Sequence, residues 1–479
     1  MNFVHMSINE PAAKEKGAFA GNVDLSGGGA RAFLWTTPGG CRYQVPPNNG
    51  GGPLSVLIKK VRLNGELVDV LIKGNRFDSI GTDVDSSADV VIDGLGKAIL
   101  PSFHNAHTHA AMTLMRGYAD DMDLHTWLAD HIWPFEARLG EDDIYWGAKL
   151  ACLEMIKSGT TFFADMYWHW KGTARAVTEM GMRAALSAAF FDFDDPARAE
   201  TMKRQVMDLH AVSAAFPDRI QFILGPHAIY TVSSDSLRWL GEYANRHGLL
   251  VHLHLSETQK EVEDCLAKHG KRPVEYLHEL GLLAPNLILA HAVWMNGTEM
   301  ELLARHGVQV VHCPVSNMKL CSGQFDHVAM KAHGVTVALG TDGCSSNNNL
   351  DMIEEMKIAS LLAKVASMDP TAMPAQEALD TATLNGARMY GLDAGRIASG
   401  KLADCILVNL EHVRMVPGHH LVSNLVYSAN SSCVDTTICD GRVLMLGGKV
   451  EGEEEILAQV RATLARLNAP REPEGDACS

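Results

Sequence analysis

With 479 residues, 47% hydrophobic and 20% charged, the chain can bury one large core or two moderate ones, which excludes a disulfide-stapled miniprotein and a disordered regulatory tail. Its 41 Lys and Arg against 57 Asp and Glu give a formal charge of -16, a balance that repels phosphate backbones and argues against nucleic acid as a partner. Forty-two scattered glycines lean toward an α/β fold with many element ends, and ten cysteines without a CxxC pair read as reduced residues of a cytoplasmic protein.

Residues 1–53 carry GNVDLSGGGA and QVPPNNGGGP and are expected to form a loosely packed arm. Their GGGA run lacks the flanking strand and helix that a phosphate-binding loop requires. No basic segment leads into an apolar stretch, and no window approaches about 18 uninterrupted apolar residues, so neither secretion nor a membrane span is expected. From Leu54 short β patterns begin: LSVLIKKVRL, LVDVLIKG, ADVVIDG and KAILPSF. The same texture returns after Gly400 in ADCILVNL, DTTICDGRVLML and KVEGEE. Each piece alone is too small to bury a face. Residues 54–100 and 401–450 are therefore expected to form one small β-sandwich domain, with 101–400 inserted between its halves.

The insert alternates apolar runs with helical stretches. The runs span 99–109, 160–166, 183–190, 221–227, 249–257, 287–293, 308–317 and 335–343, eight in all, as a (β/α)8 TIM-like barrel requires. EDDIYWGAKLACLEMIKSG predicts a helix with Ile144, Ala148, Ala151 and Met155 on one face and a stop at Gly159. Ala375 to Met389 predicts another, closed by Gly391. Over 451–479, GEEEILAQVRATLARL predicts a helix followed by a frayed tail.

Polar residues gather at the C-terminal ends of the runs: His107 and His109 at the first, His227 at the fourth, His254 and Glu257 at the fifth, His291 at the sixth and Asp342 at the eighth. In such a barrel these ends share one mouth, where active sites sit. His107 and His109 are two apart, so on an extended backbone both side chains face one way and can bind one ion. Imidazole and carboxylate without converging thiolates suit zinc foremost, and also iron or manganese. Cys313 and Cys344 lie near this mouth in sequence and read as small buried residues rather than ligands.

The stretches PSFHNAHTHAAMTLMRGYADD, WL followed by HIWPFE, GPHAIYT, HLHLSET, HAVWMN, HCPVSNMKL and GTDGCSSNNNLD resemble the amidohydrolase superfamily. Within it they are most similar to the branch of S-adenosylhomocysteine and 5-methylthioadenosine deaminases, chlorotriazine hydrolases and guanine-type deaminases. The resemblance implies one divalent metal per chain held by His107, His109, His254 and Asp342. It implies Glu257 as the proton-transferring acid and His291 as the histidine beside the activated water, with Asp342 also catalytic. The run ending at His227 has no lysine at its end, which agrees with a mononuclear subtype and speaks against a dihydropyrimidinase-like two-metal site. A homodimer is common among similar proteins.

The expected activity is hydrolytic deamination of an amino-substituted heterocycle: water activated by the metal adds to an amidine-type ring carbon, Glu257 protonates the ring nitrogen, and ammonia leaves. Trp127, Trp133, Pro134 and Phe135 are expected to lid the mouth, and His227, Trp127 and His125 to contact a small-molecule heterocycle. Adenosine-type nucleosides lead as substrates, ahead of another purine, pterin or pyrimidine base, a triazine, or a barrel that merely binds. Two departures weigh on this. His125 stands where nucleoside-acting relatives usually carry an acid, and Asp192, Asp194 and Asp195 form an acidic stretch. That stretch predicts discrimination of about tenfold against S-adenosylhomocysteine unless Arg175 or Arg183 reaches the pocket.

Overall fold

The computed structural model describes residues 33–36, 42–45, 55–84 and 87–468. Strands β1 (Phe33–Thr36) and β2 (Arg42–Val45) pair antiparallel in a unit of their own, Met1–Gly51; the rest of the expected arm lies outside the described residues.

The remaining unit opens with β3 (Ser55–Leu63), β4 (Glu66–Lys73), β5 (Arg76–Gly81), β6 (Val90–Asp93) and β7 (Lys97–Pro101). Next come β8 (Phe103–Thr108), β9 (Thr160–Tyr167), β10 (Arg183–Phe190), β11 (Ile220–Pro226), β12 (Val251–Leu255), β13 (Leu287–His291), β14 (Gln309–His312) and β15 (Val337–Leu339). The chain returns with β16 (Cys405–Asn409), β17 (Val434–Cys439), β18 (Arg442–Leu446) and β19 (Lys449–Val450).

The small domain is built from both flanks. β16 runs antiparallel to β7 from Cys405 opposite Pro101 to Asn409 opposite Lys97. A bulge between Ile58 and Val61, with Lys60 at φ 55 and its N–H donated to Asp69 at 2.8 Å, bends β3. Its first half therefore pairs with β6 and Arg62 pairs with Ala98 of β7, so the strands of the sandwich run through one continuous mixed sheet.

All eight expected barrel strands form, each parallel to the next in chain order from β8 to β15. Closure between the last and first comes from Asp342 N–H to His107 O at 3.0 Å and from the Asn105 carboxamide, which bonds both the N–H and the hydroxyl of Thr341. Alternation of period two sets the faces. In β12, Val251, Leu253 and Leu255 pack outward among the helices, which leaves His252 and His254 facing inward. Ala106, Phe162, Ala185, Ile223, Ile288 and Val311 fill the interior below the site.

The helix Glu141–Ser158 matches expectation: Ile144, Ala148, Ala151 and Met155 are fully buried, and Gly159 closes it at φ 90. The predicted helix over 375–389 is instead two, Ala375–Ala382 and Leu384–Met389, broken at Thr383. There the hydroxyls of Thr381 and Thr383 take the carbonyls of Ala378 and Leu379, offering the backbone a local alternative to continued helix. The predicted seventh run, 308–317, also shortens to Gln309–His312, because the helix Pro314–Lys319 begins within it. Glu453–Asn468 is a helix as expected, packed against Glu141–Ser158. Among the described residues, no helix is long and apolar enough to cross a membrane.

Candidate active site

Barrel strands deliver their last residues to one mouth, and sharp turns then aim the side chains. Ser256, His291 and Asp342 hold left-handed φ values of 51, 69 and 61°, conformations that cost a non-glycine residue roughly 1 to 3 kcal/mol and persist where the surroundings fix them. Two such surroundings are visible. The Glu261 carboxylate accepts the N–H groups of Ser256 and Glu257 at 2.9 Å each, and Ala292 donates to the carbonyl of Leu255.

The structure brings His107, His109, His254 and Asp342 together. Imidazole nitrogens of the three histidines approach within 4.8 Å of one another, and His107, His291 and Asp342 form an overlapping group. Asp342 Oδ1 lies 3.2 Å from His109 Nε2 and 3.5 Å from His107 Nε2. Its other oxygen accepts the hydroxyls of Ser316 at 2.6 Å and Ser346 at 3.0 Å, which orient the carboxylate.

The outward nitrogens define the tautomers. His109 Nδ1 meets the carbonyl of Met166 at 2.7 Å, and His254 Nδ1 meets that of His227 at 2.7 Å. Carbonyls only accept, so both Nδ1 atoms carry protons and Nε2 is the nitrogen of each ring that faces inward. His254 Nε2 stands 3.2 Å from His107 Nε2. Inward-facing imidazole nitrogens and a carboxylate form a donor set suited to a borderline divalent cation.

The electrostatics agree. Burial opposes charge on Asp342, yet the His107 and His109 imidazoles beside it hold its carboxyl well below the usual range. Burial also works against a charge on His109, but Asp342 more than reverses this and pushes it up to about 9. Burial dominates at His107, lowered to about 4, and at His254, well below its ordinary value. The pocket floor therefore favours one positive charge beside Asp342. Cys313 and Cys344 are buried, and burial raises both thiols.

Glu257 and His291 face the same space. His291 Nε2 is 3.8 Å from Glu257 Oε2, and its Nδ1 donates to Asn317 Oδ1 at 2.9 Å, which leaves Nε2 as the ring nitrogen facing the site. Burial raises the Glu257 carboxyl, opposed by His291.

Above this floor lies an open pocket. Leu124–Thr126, Trp127–Ile132 and Trp133–Glu136, three abutting helical segments, form one wall. Trp127 is buried, lines the pocket and donates Nε1–H to the Ala119 carbonyl at 3.2 Å. His227 also lines it, stacked on Phe191 at 4.5 Å, its Nδ1 3.0 Å from the Thr231 hydroxyl; burial lowers it to about 3, so it is neutral. The His125 side chain lies outside the described residues.

The acidic stretch does not edge this pocket. Asp192 is buried and accepts the N–H and hydroxyl of Ser233, Asp194 pairs with Lys268 at 2.9 Å, and Asp195 caps the helix Pro196–Ser213. Neither suspected arginine reaches in. Arg175 pairs with Glu141 and Asp142, while Arg183 is buried between Asp404 and Asp440 at the opposite end of β10. The predicted discrimination against S-adenosylhomocysteine therefore loses its ground. The sequence reading missed Glu136, a half-buried carboxylate on the pocket wall that accepts from Trp168 Nε1 at 3.3 Å and is raised by burial.

Residues 98–444 match the Amidohydrolase family. The chain belongs to the amidohydrolase family. A relative in Archaeoglobus fulgidus, named 5-methylthioadenosine/S-adenosylhomocysteine deaminase 1, is 51% identical over 81% of this chain and 91% of its own. One in Methanoregula boonei, named 5'-deoxyadenosine deaminase, is 47% identical over 87% and 96%. Among solved structures, an adenosine deaminase from Xanthomonas campestris with bound zinc superposes with a TM-score of 0.81 at 33% identity, covering 87% of this chain and 98% of its own. In this amidohydrolase, Met112, Trp127, Trp133 and Leu320 are among the residues lining the pocket above the cluster.

Proposed function

We propose that this amidohydrolase is a metal-dependent deaminase of adenosine-type nucleosides, converting a 6-amino purine ring to its 6-oxo form with release of ammonia. The observation that carries this reading is the arrangement of Glu257 and His291 side by side over the His107, His109, His254 and Asp342 cluster, at the floor of an aromatic pocket whose wall holds a second carboxylate, Glu136. The names of the 51% and 47% identical relatives agree with it.

His107, His109, His254 and Asp342 would hold the ion, with zinc the first choice. When bound, such an ion makes a water acidic enough to supply hydroxide near neutral pH. Asp342, whose carboxyl is held well below its usual range, would be the proton acceptor beside the ion. His291, whose Nε2 faces the site, is placed to orient the attacking oxygen. Glu257, whose carboxyl is raised by burial, delivers a proton to the ring nitrogen next to the amino-bearing carbon and then relays one to the exocyclic nitrogen, which leaves as ammonia. His227, held neutral, presents Nε2 to another ring nitrogen. Trp127, Trp133 and Phe191 supply flat apolar area and exclude water. Glu136, on the pocket wall, accepts hydrogen bonds from sugar hydroxyls.

Ammonia release measured across adenosine-type nucleosides, aminopurines, pterins and aminopyrimidines tests the reading, together with metal analysis. One equivalent of zinc and highest kcat/KM on a nucleoside support it. Turnover of a pterin or aminopyrimidine with none of the nucleosides would refute it.

A further inference from the structure

Of the three histidines in the cluster, His109 and His254 owe their tautomers to backbone carbonyls. His107 does not. We propose that His252 and Tyr390 are a positioning pair that fixes His107 in the tautomer able to hold the ion, an inference that rests on the metal reading above.

The geometry is a chain of three hydrogen bonds running up from the barrel floor. The Tyr390 hydroxyl is 2.8 Å from the Ala106 carbonyl and 3.1 Å from His252 Nδ1; His252 Nε2 is 3.0 Å from His107 Nδ1. A tyrosine hydroxyl has one proton, and the Ala106 carbonyl can only accept it. The Tyr390 oxygen must then accept from His252 Nδ1–H. A neutral imidazole has one N–H, so His252 Nε2 is bare and accepts from His107 Nδ1–H. What remains on His107 is the Nε2 lone pair, directed at Asp342 and His254. All three side chains are buried, His107 at 0%, His252 at 2% and Tyr390 at 2% exposure, so water cannot substitute for any link.

The reverse arrangement shows what the pair prevents. With the proton of His252 on Nε2, His107 Nδ1 would have to accept, and its own proton would sit on Nε2, in the place the ion needs. Only the Tyr390 hydroxyl, itself committed to Ala106, biases His252 against that state. Tyr390 follows the helix Leu384–Met389 and packs among Ala106, Phe162 and Met389 within the barrel floor. The segment after the last barrel strand is thereby coupled to the first strand's ligand.

Zinc dissociation constants of the apo-protein, read by competition with a chromogenic chelator, test this without any substrate. Tyr390→Phe keeps the ring and removes the hydroxyl; His252→Leu removes the acceptor; His252→Gln restores an acceptor oxygen where Nε2 stands. Tyr390→Phe and His252→Leu should each weaken zinc binding about 10- to 100-fold, while His252→Gln stays within about threefold of wild type. Nitrogen NMR of histidine-labelled protein should show His107 protonated at Nδ1 in the wild type and mixed in Tyr390→Phe. Wild-type affinity in both Tyr390→Phe and His252→Leu, or equal losses in His252→Gln and His252→Leu, overturns the proposal. Should Tyr390→Phe fail to fold, the contrast between Gln and Leu at position 252 decides alone. A wild-type protein that binds no zinc would instead refute the metal reading itself.

Discussion

Replacing Glu257 by Gln isolates proton transfer from everything else this side chain does. The carboxamide has the shape of the carboxylate, so the Ser322 hydroxyl at 3.3 Å and the neighbouring His291 at 3.8 Å keep a partner. Glu257 is outside the ligand set, and the Glu261 carboxylate that grips the backbone at 256 and 257 is untouched. What disappears is a titratable oxygen, and with it general acid–base catalysis worth about 10² to 10⁴ in rate, or about 2.7 to 5.4 kcal/mol of barrel-mouth transition-state stabilisation. The expected result is a kcat lowered by at least about 10²-fold, KM changed by less than about threefold, and zinc content unchanged. Steady-state ammonia release with 5-methylthioadenosine and 5'-deoxyadenosine, beside elemental analysis of the same preparation, measures all three. A kcat within tenfold of wild type in fully loaded protein would remove Glu257 from the mechanism, and loss of the metal would make it a ligand.

Zinc binding should depend on pH through His109. Asp342 pushes this histidine up to about 9, so a proton must leave before Nε2 can take an ion, and affinity should rise about tenfold per unit between pH 6 and 8; a flat profile contradicts the assignment. Glu136→Gln should lower kcat/KM by about 10- to 100-fold for ribosides but leave a 2',3'-dideoxynucleoside nearly unaffected, and equal losses on both would show that Glu136 does not read the sugar. Arg183→Met should cost about 3 to 5 kcal/mol in denaturant unfolding by stranding buried Asp404, while the ordering of 5-methylthioadenosine and S-adenosylhomocysteine stays as in wild type.

The barrel was legible because period-two apolar runs bounded by helices leave few architectures, and all eight runs became strands. The ends of runs were legible too: His107, His109, His254, Glu257, His291 and Asp342 meet where strand geometry sends them. The HxH spacing that pairs His107 with His109 also marks His252 and His254, so an inward His252 was available to the same reasoning; its link to Tyr390, across 138 residues, was not. Glu136 stood in a stretch already singled out, but only the fold of the lid turns it toward the pocket. The acidic stretch misled because it was read as charge alone. Asp195 before Pro196 is a helix-start signal, whereas the burial of Asp192 against Ser233 depends on the following strand and its loop.

The pairing of β7 with β16 has a consequence for biosynthesis. The edge of β7 emerges from the ribosome about 300 residues before its partner, a delay of roughly 15 to 60 s at ordinary elongation rates. Throughout that interval Ile99 and Leu100, both buried in the finished protein, lie on a strand with one open edge able to recruit other nascent chains. The barrel, whose strands pair only with their neighbours in chain order, can meanwhile assemble progressively. Truncated chains ending before Cys405 should thus hold much of a barrel yet aggregate through β7, and a chaperone that shields extended apolar segments should raise the yield of full-length protein without altering its specific activity.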